Sequence, residues 1–293
     1  MLTEKQEIIG GINTDIFSHE IKSNLHIFIL PGNPGISAFY TDFANQLIKN
    51  LNGKVNLYII SYAGFTKSKP EKNYSLQEEL THKVETINHF KTKFKWSKKS
   101  QIVFIGHSVG GWLTKELTKK FQTEFKTTTF LLFPFFTKSR EETQISYEKL
   151  LNNTKYIKLS LGLYRIIKKI PEPMILSLTK LLYTHASDNA IKIILQFFIT
   201  IKHIPESILY LAKSEFHTFT EDIDIDFFKK YHKSTHVFYC SDDLWAPLSQ
   251  LKILNEKIPT LKTELIPLIT HDFCVNTEQS KIVANKILEH LGK

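Results

Sequence analysis

Nucleophilic acyl transfer without a cofactor needs a hydroxyl, an imidazole and a carboxylate, and this chain offers each just past a run of strand-forming residues. The hydroxyl is Ser108, in Gly106-His107-Ser108-Val109-Gly110, which ends the run Ile102-Val103-Phe104-Ile105. With only 11 glycines in the chain, a Gly-x-Ser-x-Gly pentad would arise by chance about 0.03 times. The carboxylate is Asp243, after residues 235–240, and the imidazole is His271, after residues 261–268. A serine hydroxyl is a weak nucleophile at neutral pH. The imidazole takes its proton and returns it to the leaving group, while the carboxylate holds the imidazole in the right tautomer. Asp242 adjoins Asp243, but the spacing Asp243-x-x-x-Pro247 lets the loop turn back into a helix after the carboxylate, which favours Asp243. Among other histidines, His107 lies inside the pentad, His82, His89, His203 and His290 fall on expected helices, and His26 lies on a strand below the catalytic edge. Position selects His271.

Acyl transfer also needs donors for the developing oxyanion. The apolar run 25–30 breaks at Pro31-Gly32-Asn33-Pro34-Gly35. Pro34 has no N–H, and Asn33 directly follows the first glycine, so its backbone N–H is one expected donor. The other is the N–H of Val109, at the amino end of the helix that follows the nucleophile.

These groups must be carried by a sheet. Strands are expected at 7–11, 14–17, 25–30, 56–60, 102–105, 128–133, 235–240 and 261–268. Helices are expected at 37–51, at 75–95 with a Ser75/Glu78 capping box, at 112–125 with Leu113, Leu117 and Phe121 on one face, at 222–231 and at 277–291. The alternation implies an α/β protein with a mostly parallel sheet and helices on both faces. Residues 137–219 break that rhythm, since they contain no good strand and are far too long for an ordinary connection. The expected organisation is a core in two parts, 1–136 and 220–293, with a helical cap inserted at 137–219.

The inserted stretch is apolar and basic, its Lys and Arg outnumbering Glu172, Asp188 and Glu206. Along 156–169, Lys158, Gly162, Arg165 and Lys169 line one face, with Ile157, Leu159, Leu163, Ile166 and Ile167 away from it; 174–183 and 190–203 continue in this style. Such helices suit a membrane interface, and equally suit packing onto the sheet as a roof over its pocket. The formal charge of +9 does not point to nucleic acid, because Lys is scattered along the chain rather than gathered in one tail. Attraction to anionic headgroups accounts for it better. Cys240 and Cys274 form neither a disulfide framework nor a metal spacing, which suits small buried groups in a reducing compartment. Residues 1–6 are polar and give no secretory signal, and no run of about 18 apolar residues is present, so membrane contact is expected to be peripheral.

With Leu30-Pro31-Gly32-Asn33-Pro34-Gly35 followed by Phe39-Tyr40, the Ser108 pentad, Asp243-x-Trp245-x-Pro247, and His271 with an aromatic two positions on, the chain resembles the lipid droplet-associated hydrolase family. That family is a branch of the α/β-hydrolase superfamily. The resemblance implies an α/β-hydrolase fold and a triad of Ser108, Asp243 and His271. It further implies association with lipid droplets and the endoplasmic reticulum, on the cytosolic side, through the hydrophobic middle region. A role in neutral-lipid or sterol-ester turnover would follow. Leu244 stands where relatives carry Gly, and Asp272 directly follows the histidine; both bear on pocket shape. The expected activity is a serine esterase or lipase on a sterol ester or acylglycerol, with no cofactor. A droplet-surface protein that keeps the fold with little turnover is the alternative, and an esterase of the aqueous phase is a third reading. Ser108 argues against epoxide hydrolase or dehalogenase chemistry, which needs a carboxylate at that turn.

Overall fold

The computed structural model describes residues 2–139 and 141–292. Its first strands, β1 (Thr3–Ile9) and β2 (Ile12–His19), make an antiparallel hairpin. The chain then alternates through β3 (Leu25–Leu30), α1 (Thr41–Asn50), β4 (Asn56–Ile60), α2 (Leu76–Lys93), β5 (Gln101–His107), α3 (Val109–Phe121) and β6 (Lys126–Leu132). Five helices follow without a strand: α4 (Glu142–Asn152), α5 (Thr154–Ile167), α6 (Glu172–Leu182), α7 (Asp188–Ile194) and α8 (Ile204–Thr218). The alternation resumes with α9 (Ile225–Tyr231), β7 (Thr235–Tyr239), α10 (Leu248–Lys257), β8 (Lys262–Leu265) and α11 (Thr277–Leu291).

The strands form one eight-stranded sheet in the order β1-β2-β4-β3-β5-β6-β7-β8, parallel from β4 through β8. Every residue of β4 and all but the first of β3 are buried, as expected of parallel strands covered on both faces. β3 lies between β4 and β5, so the winding direction reverses there and the carboxyl ends of β3 and β5 open a crevice. Register puts Leu30 beside Gly106, which brings the loop after β3 against the turn after β5.

Several boundaries differ from the sequence reading. The helix after Ser108 starts at Val109 and ends at Phe121, rather than covering 112–125. Its Gly110 and Gly111 are poor helix formers, yet tertiary contact holds them in place. Segment 37–51 begins as a tight turn, Ser37–Tyr40, before α1. Segment 190–203 is not one helix: α7 passes into a π-turn, Leu195–Thr200, and the path bends by 96° into α8. Pro205, in the first turn of α8, has no N–H to extend the upstream ladder.

No described helix is long and apolar enough to cross a membrane. Ile193, Phe197, Ile204, Leu211 and Phe216, from the bent pair, belong to the core cluster. In contrast, α5 buries no residue and α6 buries only Ile175 and Thr179.

Candidate active site

Where β5 ends, Ser108 adopts φ +53° and ψ −125°, the left-handed region that costs a non-glycine residue strain. The turn is over-determined by its neighbours. The Ser108 N–H donates to the Leu132 carbonyl at 3.0 Å, and a Cβ on Gly106 would strike the Gly110 carbonyl and Thr114. A Cβ on Gly110 would strike the carbonyls of Leu30 and Pro31, so the glycines permit the close approach of helix, turn and strand.

The three residues expected to act together do meet. Ser108 Oγ lies 3.0 Å from His271 Nε2, and His271 Nδ1 lies 2.8 Å from Asp243 Oδ2. The Asp243 carboxylate also accepts from the backbone N–H groups of Trp245 at 2.8 Å and Ala246 at 3.1 Å, and from the Cys240 thiol at 3.3 Å. Burial pushes its pKa up; bonding to His271 and the positive charge that ring can carry, with the two N–H groups, outweigh this and hold it below the ordinary value. Asp242 is exposed, and the loop puts Asp243 alone on the imidazole. The 3.0 Å contact is within the reach needed for general-base proton transfer.

The expected oxyanion donors lie on the two loops that meet at the carboxyl ends of β3 and β5. Val109 opens α3, where the first N–H groups have no partner inside the helix. On the facing loop the Gly32 N–H is already bonded to Tyr40 Oη at 2.8 Å, which leaves Asn33 as the next backbone donor before Pro34.

Two parts of the site went unread in the sequence. The first is His107, passed over as a residue inside the turn. Its Nε2 lies 2.8 Å from the His271 carbonyl, and its Nδ1 lies 2.6 Å from Tyr40 Oη. A carbonyl only accepts, so Nε2 carries the proton; burial depresses the pKa to about 3, so Nδ1 is bare and accepts from the tyrosine. Gly32, Tyr40, His107 and His271 thus form one chain of hydrogen bonds joining the loop after β3 to the loop after β8. The pairing of Tyr40 with a histidine inside the pentad was the available signal.

The second is Glu215, on α8 and 4% exposed. The Asn33 side-chain amide donates to Glu215 Oε1 at 3.0 Å and to the Ile208 carbonyl at 3.2 Å. Burial raises the Glu215 carboxyl to about 8, against the lowering effect of the Asn33 bond. Glu141, Glu142, Glu148 and Glu215 also belong to the stretch whose acidic residues were read as Glu172, Asp188 and Glu206. Leu211, Ala212, Glu215 and Phe216 share the buried register of α8, a pattern that marks this carboxyl as inward-facing.

Ser108 and His271 open onto a cavity of about 410 Å³. Phe39, Phe135, Phe198, Trp245 and Val275 give it a largely apolar wall, and Tyr147, Ile194, Ile208 and Glu215 enter it from the helical stretch between β6 and α9. Burial raises the thiol of Cys274, also on the wall, to about 12, so it remains protonated. Beside the site, Asp272 accepts from Thr270 Oγ1 at 2.7 Å and pairs with His185 Nε2 at 2.8 Å.

Comparison with known proteins adds four findings. The chain is 26% identical to the lipid droplet-associated hydrolase of Rattus norvegicus over 98% of its own length and 95% of the relative's. It is 30% identical to that of Dictyostelium discoideum over 137 residues, a stretch spanning 45% of either protein. Among solved structures, 2-hydroxy-6-oxo-6-phenylhexa-2,4-dienoate hydrolase from Rhodococcus superposes with a TM-score of 0.67 at 17% identity, covering 100% of this chain and 99% of that one. A likeness at that identity shows the α/β-hydrolase fold alone. The model of the lipid-droplet associated hydrolase family matches residues 23–274, which include the Gly32-Asn33 loop, the Ser108 turn, Asp243 and His271, and the chain belongs to that family.

Proposed function

We propose that the protein is a serine hydrolase that cleaves lipophilic carboxylic esters, of the acylglycerol or sterol-ester class, at a lipid-droplet or membrane surface. The observation that carries this reading is the continuous bonding of Ser108, His271 and Asp243, with Ser108 and His271 lining an apolar cavity. Ser108 Oγ attacks the ester carbonyl as His271 Nε2 takes its proton. The resulting oxyanion is held by the N–H groups of Val109 and Asn33, each worth about 2.7–4 kcal/mol where such donors have been removed elsewhere. Collapse expels the alcohol, protonated by His271, and leaves an acyl-serine. Water, deprotonated by the same imidazole, then releases the acid and restores Ser108.

Residues 137–219 act as a cap with two jobs. Tyr147, Ile194, Phe198 and Ile208 wall the cavity, while α5 and α6 turn Leu159, Leu163, Ile166, Met174, Leu178, Leu181 and Leu182 to solvent. On each helix these apolar residues recur at helical spacing, and Lys158, Arg165, Lys169 and Lys180 are exposed beside them. That combination supports peripheral docking to a droplet or endoplasmic reticulum surface on the cytosolic side. The same outward faces favour a second reading, a droplet-surface protein with little turnover.

A fluorescent fluorophosphonate separates the two. Wild-type protein is expected to be labelled and Ser108→Ala is not, with ester turnover falling about 100-fold or more in the variant. Folded wild-type protein that stays unlabelled, with and without lipid, sinks the esterase and leaves the surface protein.

A further inference from the structure

The apolar cavity contains a carboxyl that the acyl-transfer steps never use. Glu215 comes from α8, whereas the triad and the oxyanion donors come from loops after β3, β5, β7 and β8. One of its oxygens accepts from Asn33 Nδ2 at 3.0 Å; among the described residues the other has no partner, and no Lys, Arg or His bonds to the group. Asn33 gives its second amide hydrogen to the Ile208 carbonyl, and its own Oδ1, buried, is without a partner. The pair thus offers unmet hydrogen-bonding capacity beside a wall of Phe, Trp and Ile. A buried carboxyl without a counter-charge is held neutral, consistent with its raised pKa, and a neutral carboxyl both donates and accepts.

One group matches this. A hydroxyl is compact and uncharged, can accept from the carboxyl and can donate to the carboxyl or to Asn33 Oδ1. An ammonium group would need the carboxyl to give up its proton, which its burial disfavours. A purely hydrocarbon ligand would leave both polar groups unmet. We infer that Glu215 and Asn33 form a polar subsite that selects esters carrying a free hydroxyl, partial acylglycerols in preference to sterol esters or triacylglycerols. This rests on the esterase reading above and narrows it. The cavity volume, about 410 Å³, fits the choice: ligand pockets span about 300–1,000 Å³, and this one is at the slender end.

The test compares 1-monooleoylglycerol with methyl oleate, which shares its acyl chain and lacks the hydroxyls, in the same detergent micelles. Wild-type protein is expected to favour the glyceride in kcat/KM by about tenfold or more, since a site built to bond a hydroxyl rejects the analogue without it. Glu215→Leu should bring that ratio to within about twofold of unity, and Glu215→Gln, which also donates and accepts, should keep most of it. Fluorophosphonate labelling of Ser108 checks that each variant is folded with an intact nucleophile. Equal losses on both esters would mean that Glu215 only positions Asn33, and would overturn the subsite. So would wild-type turnover with no preference. Binding of 1-O-oleylglycerol against oleyl methyl ether supplies the same ratio without turnover, so failure of the esterase reading is seen separately from failure of the subsite.

Discussion

The sheet edge around Ser108 and the outward helices α5 and α6 use apolar residues in opposite ways. At the sheet edge, Ile29, Leu30, Ile105 and Leu132 are buried, and each turn is pinned by ladder bonds and by glycines that admit no Cβ. In α5 and α6, Leu159, Leu181 and Leu182 are 71%, 72% and 67% exposed. The first region is finished by the chain itself. The second presents a surface that water serves poorly, and in the proposed function a lipid interface completes it. In that proposed function, catalytic geometry and substrate access reside in separate parts of one molecule, open to separate disruption.

Asp243→Asn breaks the first region hardest. Asparagine keeps the size of the side chain but offers His271 an uncharged and ambiguous partner, so kcat on a soluble ester should fall about 10³–10⁴-fold. A loss below tenfold would show that the carboxylate does not set the tautomer. In the second region, Leu159→Glu with Leu163→Glu should lower partition onto anionic vesicles, read by flotation, about 100-fold. Each leucine is worth about 1.5–3 kcal/mol on burial, and the new carboxylates are repelled. Unchanged flotation would remove α5 from the docking surface. If turnover of a dissolved short-chain ester falls as far as turnover of droplet-borne ester, the two regions are not separate.

Smaller effects sharpen the comparison. Tyr40→Phe leaves the Gly32 N–H and His107 Nδ1 without their shared hydroxyl, a loss of about 1–3 kcal/mol from unmet buried groups. Activity should drop roughly fivefold with a lower Tm; full activity would show that the loops hold their places without it. A separate effect, on stability rather than rate, is a pH dependence at Glu215, whose cavity is also lined by Asn33, His107, Tyr147, His271 and Asp272. Its carboxyl is raised to about 8 in the folded protein, above the roughly 4.3 of an unfolded chain. Its contribution to stability is therefore complete below the unfolded value and lost as pH rises through the folded one. Relative to Glu215→Gln, wild-type Tm should decline between about pH 5 and pH 9. Parallel melting curves would show that the group ionises freely in the cavity.

The sequence-legible parts were those where local chemistry and tertiary demand agree. Residues 25–30, 56–60 and 277–291 match β3, β4 and α11 residue for residue, because buried parallel strands are continuous apolar runs and α11 follows an Asn276 cap. The meeting of Ser108, Asp243 and His271 was legible for the same reason, each standing just past such a run. Illegible were features settled by distant partners. Val109 opens a helix through two glycines that only packing explains, Gly110 against Leu30 and Pro31 and Gly111 against Pro134, and the bend between α7 and α8 lies inside one continuous apolar segment. His107 and Glu215 were passed over because their partners, Tyr40 and Asn33, lie 67 and 182 residues away.

The Gly32-Tyr40-His107-His271 chain also governs proton traffic. At one end it starts on a backbone amide and at the other it stops on a backbone carbonyl, neither of which exchanges a proton during the reaction. Every hydrogen along it has a fixed direction, so an imidazole whose ring centroid lies 4.9 Å from that of the base is electrically close and chemically silent. In the proposed reaction, the proton taken from Ser108 then has one place to wait, His271 Nε2, and one place to go, the departing alcohol.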